Sequence, residues 1–278
     1  MSTDLATWID QQPPFLGNQW ISTLEPRKQE EAGFHDTDRL DGRDMQEEST
    51  SNRRFYDAAH ITLERVNGWI RANVPGRVFL DYACGNGTQT LSAAQSGARL
   101  AVGIDISEVS VAGARERAKQ QGLDGRVRFL QRDCESTTFP GDSFDACLCS
   151  GMLHHLDLTK AFPELHRIMR VGGRIFCVEA LSYNPAIRLY RRMTPELRTA
   201  WEREHILGMR EVRFARQWFD VENIKFLLLT APLATLLPAG PVRRLGVRLG
   251  LALDSLLTRI PGLRLWSWQF TFELVKRQ

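Results

Sequence analysis

The chain of 278 residues contains no C-x-x-C pair, and its five cysteines (Cys84, Cys134, Cys147, Cys149 and Cys177) fall in or beside apolar runs. That usage speaks against a disulfide framework and predicts buried, reduced thiols. No grouping of His and Cys has metal-ligand spacing, so no metal is expected. No uncharged apolar run reaches the length of a bilayer span; the longest, Phe226 to Ala239, is broken by Pro232 and Pro238. Met1 to Gly17 is acidic and polar rather than basic then apolar, so no secretory leader is expected and the predicted location is cytoplasmic. There is no internal repeat. The formal charge of +3 is too small to argue for a nucleic-acid partner, and none is expected. Its distribution is uneven: from Ala231 onward seven Lys and Arg face only Asp254 and Glu273, which leaves the preceding part slightly acidic.

What is present concentrates in one octet, Leu80-Asp81-Tyr82-Ala83-Cys84-Gly85-Asn86-Gly87. The apolar approach Val78-Phe79-Leu80 predicts a buried strand ending on Asp81, and a helix-competent run from Thr88 to Gln95 follows the glycines. Strand, glycine turn and helix N-terminus together make a small-ligand cradle, because backbone approaches a ligand closely where no Cβ intrudes. An acid at the strand end repels a pyrophosphate and welcomes a ligand bearing ammonium and sulfonium groups. The spacing agrees, since a dinucleotide fingerprint needs Gly or Ala three residues past the second glycine and Thr90 stands there. Leu100 to Asp105 predicts a second buried strand, with Asp105 placed to accept both hydroxyls of a ribose.

Strands at 78–81, 100–105, 127–131, 144–149 and 173–179 alternate with helices near 88–96, 107–121 and 159–170, the pattern of a parallel, doubly wound α/β sheet. The division expected is a polar arm over 1–50, an α/β core over 51–182, a cap over 183–218 and a final segment over 219–278. The arm, charge-rich from Arg27 to Glu48, suggests a mobile or partner-dependent segment carrying short helices. A helix over 51–73 shows apolar residues every three or four positions. A helix start is expected at Thr194-Pro195-Glu196. A sixth strand is expected within Phe219 to Leu229, and a last one where Leu265, Trp266, Trp268, Phe270, Phe272 and Leu274 alternate with polar residues. Between them, roughly over 230–262, Val242, Leu245, Leu249, Leu253, Leu256 and Ile260 mark an amphipathic helix with Arg243, Arg244 and Arg248 off the stripe.

In the octet, in Gly103-Ile104-Asp105-Ile106-Ser107 and in the run from Phe129 through Leu156, the chain resembles the class I S-adenosylmethionine (SAM) dependent methyltransferases of the small-molecule type 11 and 25 kind. The resemblance covers roughly residues 55 to 180. It implies a Rossmann-like, mostly parallel seven-stranded sheet with an N-terminal helical arm and a helical C-terminal insertion, and SAM as cofactor. It further implies Asp81, Ala83, Gly85 and Gly87 around the methionine end, Asp105 and Ile106 beside the ribose, and Asp133 at the adenine amino group. Cys134 would be its backbone neighbour, Ser150 would pass beneath the donor, and Tyr56 would close over it. The usual first glycine of the loop is Ala83 here. The plainer reading of Asp81, Asp105 and Asp133 is that each merely ends a strand; their recurrence at three successive strand ends favours the cradle.

On the acceptor side, His154, His155, Glu179 and His205 are the catalytic candidates. Helix capping or loop hydrogen bonds are the alternative for the two adjacent histidines. Tyr183, Arg198 and Trp201 are candidate substrate contacts, with surface ion pairing as the alternative in that segment. Ser150-Gly151-Met152-Leu153 lacks the Asn/Asp-Pro-Pro-aromatic signature of enzymes that methylate nucleobase amines, and no acidic cluster follows the fourth strand for metal-dependent catechol chemistry. The expectation is a SAM-dependent enzyme acting on a small or amphiphilic acceptor of natural-product, lipid or sugar type. A SAM-binding regulatory or scaffold protein and an RNA-modifying enzyme stand as alternatives. The insertion reads as a lid, a homodimer surface, a peripheral membrane contact through 242–260, or plain packing against the core.

Overall fold

A computed structural model describes residues 4–40, 53–194 and 198–277, with the backbone alone for 38–40 and 53–58. The apolar runs become strands β1 (Val78–Tyr82), β2 (Leu100–Asp105), β3 (Val127–Gln131), β4 (Phe144–Ser150), β5 (Met169–Ala180), β6 (Phe219–Leu227) and β7 (Gln269–Lys276) of one sheet ordered β3-β2-β1-β4-β5-β7-β6. The first five run parallel and β7 runs antiparallel to both neighbours. All five residues of β1 are buried, as a central parallel strand covered on both faces requires. The strand order reverses between β1 and β4, so the crevice beyond their C-terminal ends is where such a fold places ligands.

The helices in chain order are α1 (Leu5–Asp10), α2 (Gly17–Ile21), α3 (Pro26–Leu40), α4 (Arg53–Asn73), α5 (Thr88–Gln95) and α6 (Glu108–Gln120), then α7 (Leu158–Ile168), α8 (Pro185–Met193), α9 (Ala200–His205), α10 (Met209–Ala215) and α11 (Pro241–Leu257). One face of the sheet packs Phe79, Phe129, Leu148 and Phe176 against Val66, Trp69 and Ile70 of α4, Leu91 of α5 and Val111 of α6. The other packs Leu80, Tyr82, Val102 and Cys147 against Ile9 of α1, Phe162 and Leu165 of α7 and Val212 of α10. Local signals start the helices. Ser107 caps α6 by accepting from the Ser110 N–H, Asp157 caps α7 through Thr159, and Asn184 caps α8 with Pro185 at its first position. All five cysteines are buried and unbridged.

Two expectations change, and a third falls outside the described residues. The described part of the segment expected to be a mobile or partner-dependent arm is stitched to the core: Leu16 and Gly17 donate to the Gln131 side chain at 2.8 and 2.9 Å, and α3 lies across the C-terminal edge of the sheet. Leu265 and Trp266 belong to a 3₁₀ turn rather than to the last strand, which starts at Gln269. The helix start expected at Thr194-Pro195-Glu196 falls mainly on residues outside those described, and the next described helix, α9, is capped by Thr199. The insertion between β6 and β7 is helical as expected, consisting of the 3₁₀ turn Ala231–Leu236 followed by α11.

Candidate active site

Beyond β1 the chain turns through Ala83 and Gly85, both in the left-handed region at φ 61° and 53°. For Gly85 this conformation is free, whereas for an alanine it costs about 1 kcal/mol. The turn aims the Gly85 N–H at Asp105, whose Oδ2 accepts it at 2.8 Å while Oδ1 accepts from Ser107 N–H at 2.9 Å. Asp105 is buried, and among the described residues its carboxylate is held by backbone alone. It lines a cavity of about 220 Å³ together with Ala83, Gly85, Ile106, Asp133, Cys134 and Ser150. Seven of the ten expected cofactor contacts therefore converge on one space.

The other three do not. Asp81 is buried away from the cavity and accepts a hydrogen bond from the Thr90 hydroxyl at 2.8 Å. Burial pushes its carboxyl up to about 7, against the opposing hydrogen bonds from Thr90. Gly87 serves packing rather than a ligand, since a Cβ there would stand 2.7 Å from the Phe129 ring. The Tyr56 side chain lies outside the described residues.

The roof of this cavity is α3, a contribution that sequence reasoning missed. Lys28 Nζ lies 2.6 Å from Asp133 Oδ2 and 2.8 Å from Glu135, and Arg27 grips both oxygens of Glu135. Glu31 accepts from His155 Nδ1 at 3.0 Å and also pairs with the Thr199 hydroxyl. Burial disfavours the charged His155 ring, yet the Glu31 carboxylate outweighs it and raises the histidine above its ordinary value. The only hint in the sequence is the basic pair Arg27-Lys28 followed by Glu30-Glu31, a pattern that also fits a solvated helix.

A second cavity, of about 470 Å³, opens on the other side of the β4 turn. Gly151 lines both cavities, and a Cβ there would meet nothing within 4 Å, so the two spaces adjoin at a residue without a side chain. His154 lines the larger one and His155 the smaller. His154 Nδ1 lies 2.7 Å from Glu179 Oε2, while Glu179 Oε1 accepts from the Met152 and Leu153 N–H groups at 2.9 and 2.7 Å. Glu179, expected at the cavity mouth, is fully buried and lines neither cavity; it fixes the turn and the ring. With Nδ1 as the donor, Nε2 is the ring's proton acceptor, 3.9 Å from Glu202 of the cavity wall.

Apolar residues of α8 and of the insertion form most of the rest: Ile187, Leu228, Leu229, Leu233, Leu236 and Trp268. Arg191 and Arg198 supply the cationic pole. Arg198 pairs with Glu202 at 3.3 Å, whereas Arg191 has no carboxylate partner among the described residues. Burial, with Arg198 adding to it, pulls the Arg191 guanidinium down to about 10. The remaining expected contacts sit elsewhere. Tyr183 is on the surface, where its hydroxyl accepts from Met209 N–H. Trp201 stacks on the exposed His205 ring at 3.7 Å and carries Arg27 at 4.5 Å on its ring, and neither residue lines either of these two cavities.

Residues 80–177 match the family model of a methyltransferase domain. Over this stretch the chain is similar to methyltransferase domains. The ubiquinone biosynthesis O-methyltransferase of Pseudomonas paraeruginosa is 33% identical over 139 residues, 49% of this chain and 58% of that one. The chain spans about half the length of the curated relatives it matches. Among solved structures, the geranyl diphosphate C-methyltransferase of Streptomyces coelicolor A3(2), in complex with Mg2+, geranyl diphosphate and S-adenosyl-L-homocysteine, aligns with a TM-score of 0.62 at 17% identity. It covers 91% of this chain and 99% of its own. The [4+2]-cyclase SpnF aligns at 0.53 with 20% identity over 77% of this chain and 81% of that one. The methyltransferase domain thus carries a widely shared fold, and its residues must carry the argument for chemistry.

Proposed function

We propose that the protein transfers a methyl group from SAM, held in the smaller cavity, to a small acceptor with an apolar body and an anionic group, held in the larger one. The observation that carries this reading is the junction of the two cavities at Gly151, with His154 oriented by Glu179 on the acceptor side. The donor set fits the cofactor: at Asp105 a buried carboxylate that, among the described residues, only backbone satisfies, a second carboxylate at Asp133 that also pairs with Lys28, and a left-handed turn that brings the Gly85 backbone to the cavity wall. SAM supplies an electrophilic methyl on a sulfonium. Asp105 is the residue to hold the ribose hydroxyls and Asp133 the one for the adenine amino group. His154 Nε2 takes the proton from the attacking hydroxyl, thiol or amine, and Glu179 keeps the ring aligned and stabilises the imidazolium that forms.

On the acceptor side, a partly buried guanidinium without a carboxylate partner favours an anionic substituent, and the leucine wall favours a lipophilic remainder. One relative named above is a ubiquinone biosynthesis O-methyltransferase, in keeping with a small-molecule acceptor. Calorimetry with SAM on the full chain and on Asp105→Ala tests the donor half, with binding expected for the first and lost in the second. Labelled methyl transfer to lipophilic carboxylates and phosphates then tests transfer. Binding without turnover on any acceptor would favour a SAM-binding scaffold, a role the shared fold also permits.

A further inference from the structure

Helix α11 is built inside out for a soluble protein. Its small side packs inward: Gly246 and Gly250 admit the 3₁₀ turn so closely that a Cβ would stand 2.9 Å from Leu237 and 2.6 Å from Ala231. Asp254, the one acid of α11, is buried and accepts from the N–H groups of Leu229, Thr230 and Ala231 at 3.0, 2.7 and 3.3 Å. These contacts fix which way the helix faces. The large side chains are left outside. Val242, Leu245, Leu249, Leu253 and Leu256, spaced by three and four, form one exposed stripe, continued by Ile260. The adjoining turn adds Leu233, 64% exposed, and Leu236, 79% exposed. Soluble monomers rarely leave so many large aliphatic groups together in water.

Charge identifies the partner. Arg244 and Arg248 are exposed and, at 100° per residue, share one flank of the stripe, with the exposed Arg259 in the turn after the helix. Arg243, Arg244, Arg248 and His60 line a surface cleft of about 530 Å³. The exposed part of α11 carries no carboxylate, so a second copy laid stripe to stripe offers these arginines no partner from α11: packed antiparallel it sets arginine rows against each other, and packed parallel it leaves them unpaired. A bilayer with anionic headgroups satisfies both features at once, taking the leucines into its apolar layer and its phosphates to the arginines. Leu233 and Leu236 also line the acceptor cavity, so its mouth opens on this same face.

We infer that α11 and the 231–237 turn dock on an anionic lipid surface and present the acceptor cavity to it. The inference is independent of methyl transfer and is read without SAM. Full-length protein is sedimented with phosphatidylcholine vesicles, with and without phosphatidylglycerol. Binding is expected on the anionic vesicles. It should fall at least tenfold in Leu249→Glu/Leu253→Glu and in Arg244→Glu/Arg248→Glu, and fall on the wild type at high salt. All four positions are exposed, so the variants should keep the wild-type melting temperature and SAM affinity, which separates this test from failure of the donor site. Protein that stays in solution with both vesicle types overturns the inference. So does equal binding to both, or a dimer in light scattering that Leu249→Glu/Leu253→Glu dissolves without any vesicle binding.

Discussion

The two cavities that meet at Gly151 are opposites. In the smaller, charged groups other than Asp105 are matched within the chain: Lys28 to Asp133, Arg27 to Glu135, His155 to Glu31. In the larger, leucines dominate and Arg191 has no carboxylate partner among the described residues. The first is built at the ends of parallel strands, the second from α8, α9 and the segment inserted before the last strand. On the proposed reading, the contrast divides the reaction between them: the donor half would sit at the ends of the parallel strands, and the acceptor half on α8, α9 and the inserted segment.

Four substitutions would sharpen or break that contrast. His154→Ala should lower kcat by about a hundredfold to ten-thousandfold with SAM affinity unchanged, since it removes a base from the acceptor side alone. A matching loss of SAM binding in calorimetry would mean that the cavities are not separate in function. On the donor side, Asp81 is protonated in the folded state at pH values where the unfolded chain has already ionised it. Its folded-state pKa is raised, so it lowers stability progressively as pH rises from about 4 to about 7, by up to about 4 kcal/mol. Asp81→Asn should flatten that slope in urea titrations run across this window; an unchanged slope refutes the assignment. Arg191→Met should raise KM for an anionic acceptor about tenfold to hundredfold and leave neutral acceptors unaffected, as expected for one charged hydrogen bond. Equal effects on both would remove the anionic group from the proposal. The smallest effect is Ala83→Gly, which relieves a left-handed alanine at the cost of a more flexible unfolded chain and should stabilise by about half a kcal/mol in thermal melts; a lowered melting temperature would mean that the turn holds no strain at Ala83.

The strands and their C-terminal acids were legible because apolar runs of strand length bounded by turns can fold in few ways. What the acids do was not. Asp81, Asp105 and Asp133 occupy equivalent places in sequence, but Thr90 turns the first away from the cavity that the other two line. The roof was hidden because Lys28 meets Asp133 across 105 residues, and a charged helix looks the same whether its partners are water or buried carboxylates. The insertion was legible as amphipathic but not as oriented. Periodicity finds a stripe of large residues but leaves open whether it packs inward or faces out; Gly246 and Gly250 decide it by letting the opposite side approach the protein more closely.

The lysine of α3 has a consequence for how the cofactor enters. Lys28 places an ammonium against Asp133, the carboxylate proposed for the nucleoside's own amino group, so on that reading arm and ligand would compete for one acceptor. Any measured affinity for the cofactor is then net of the free energy needed to lift the arm, and the open form binds more tightly than the whole population does. Replacing Lys28 should exchange folding stability for cofactor affinity, with the two quantities moving in opposite directions.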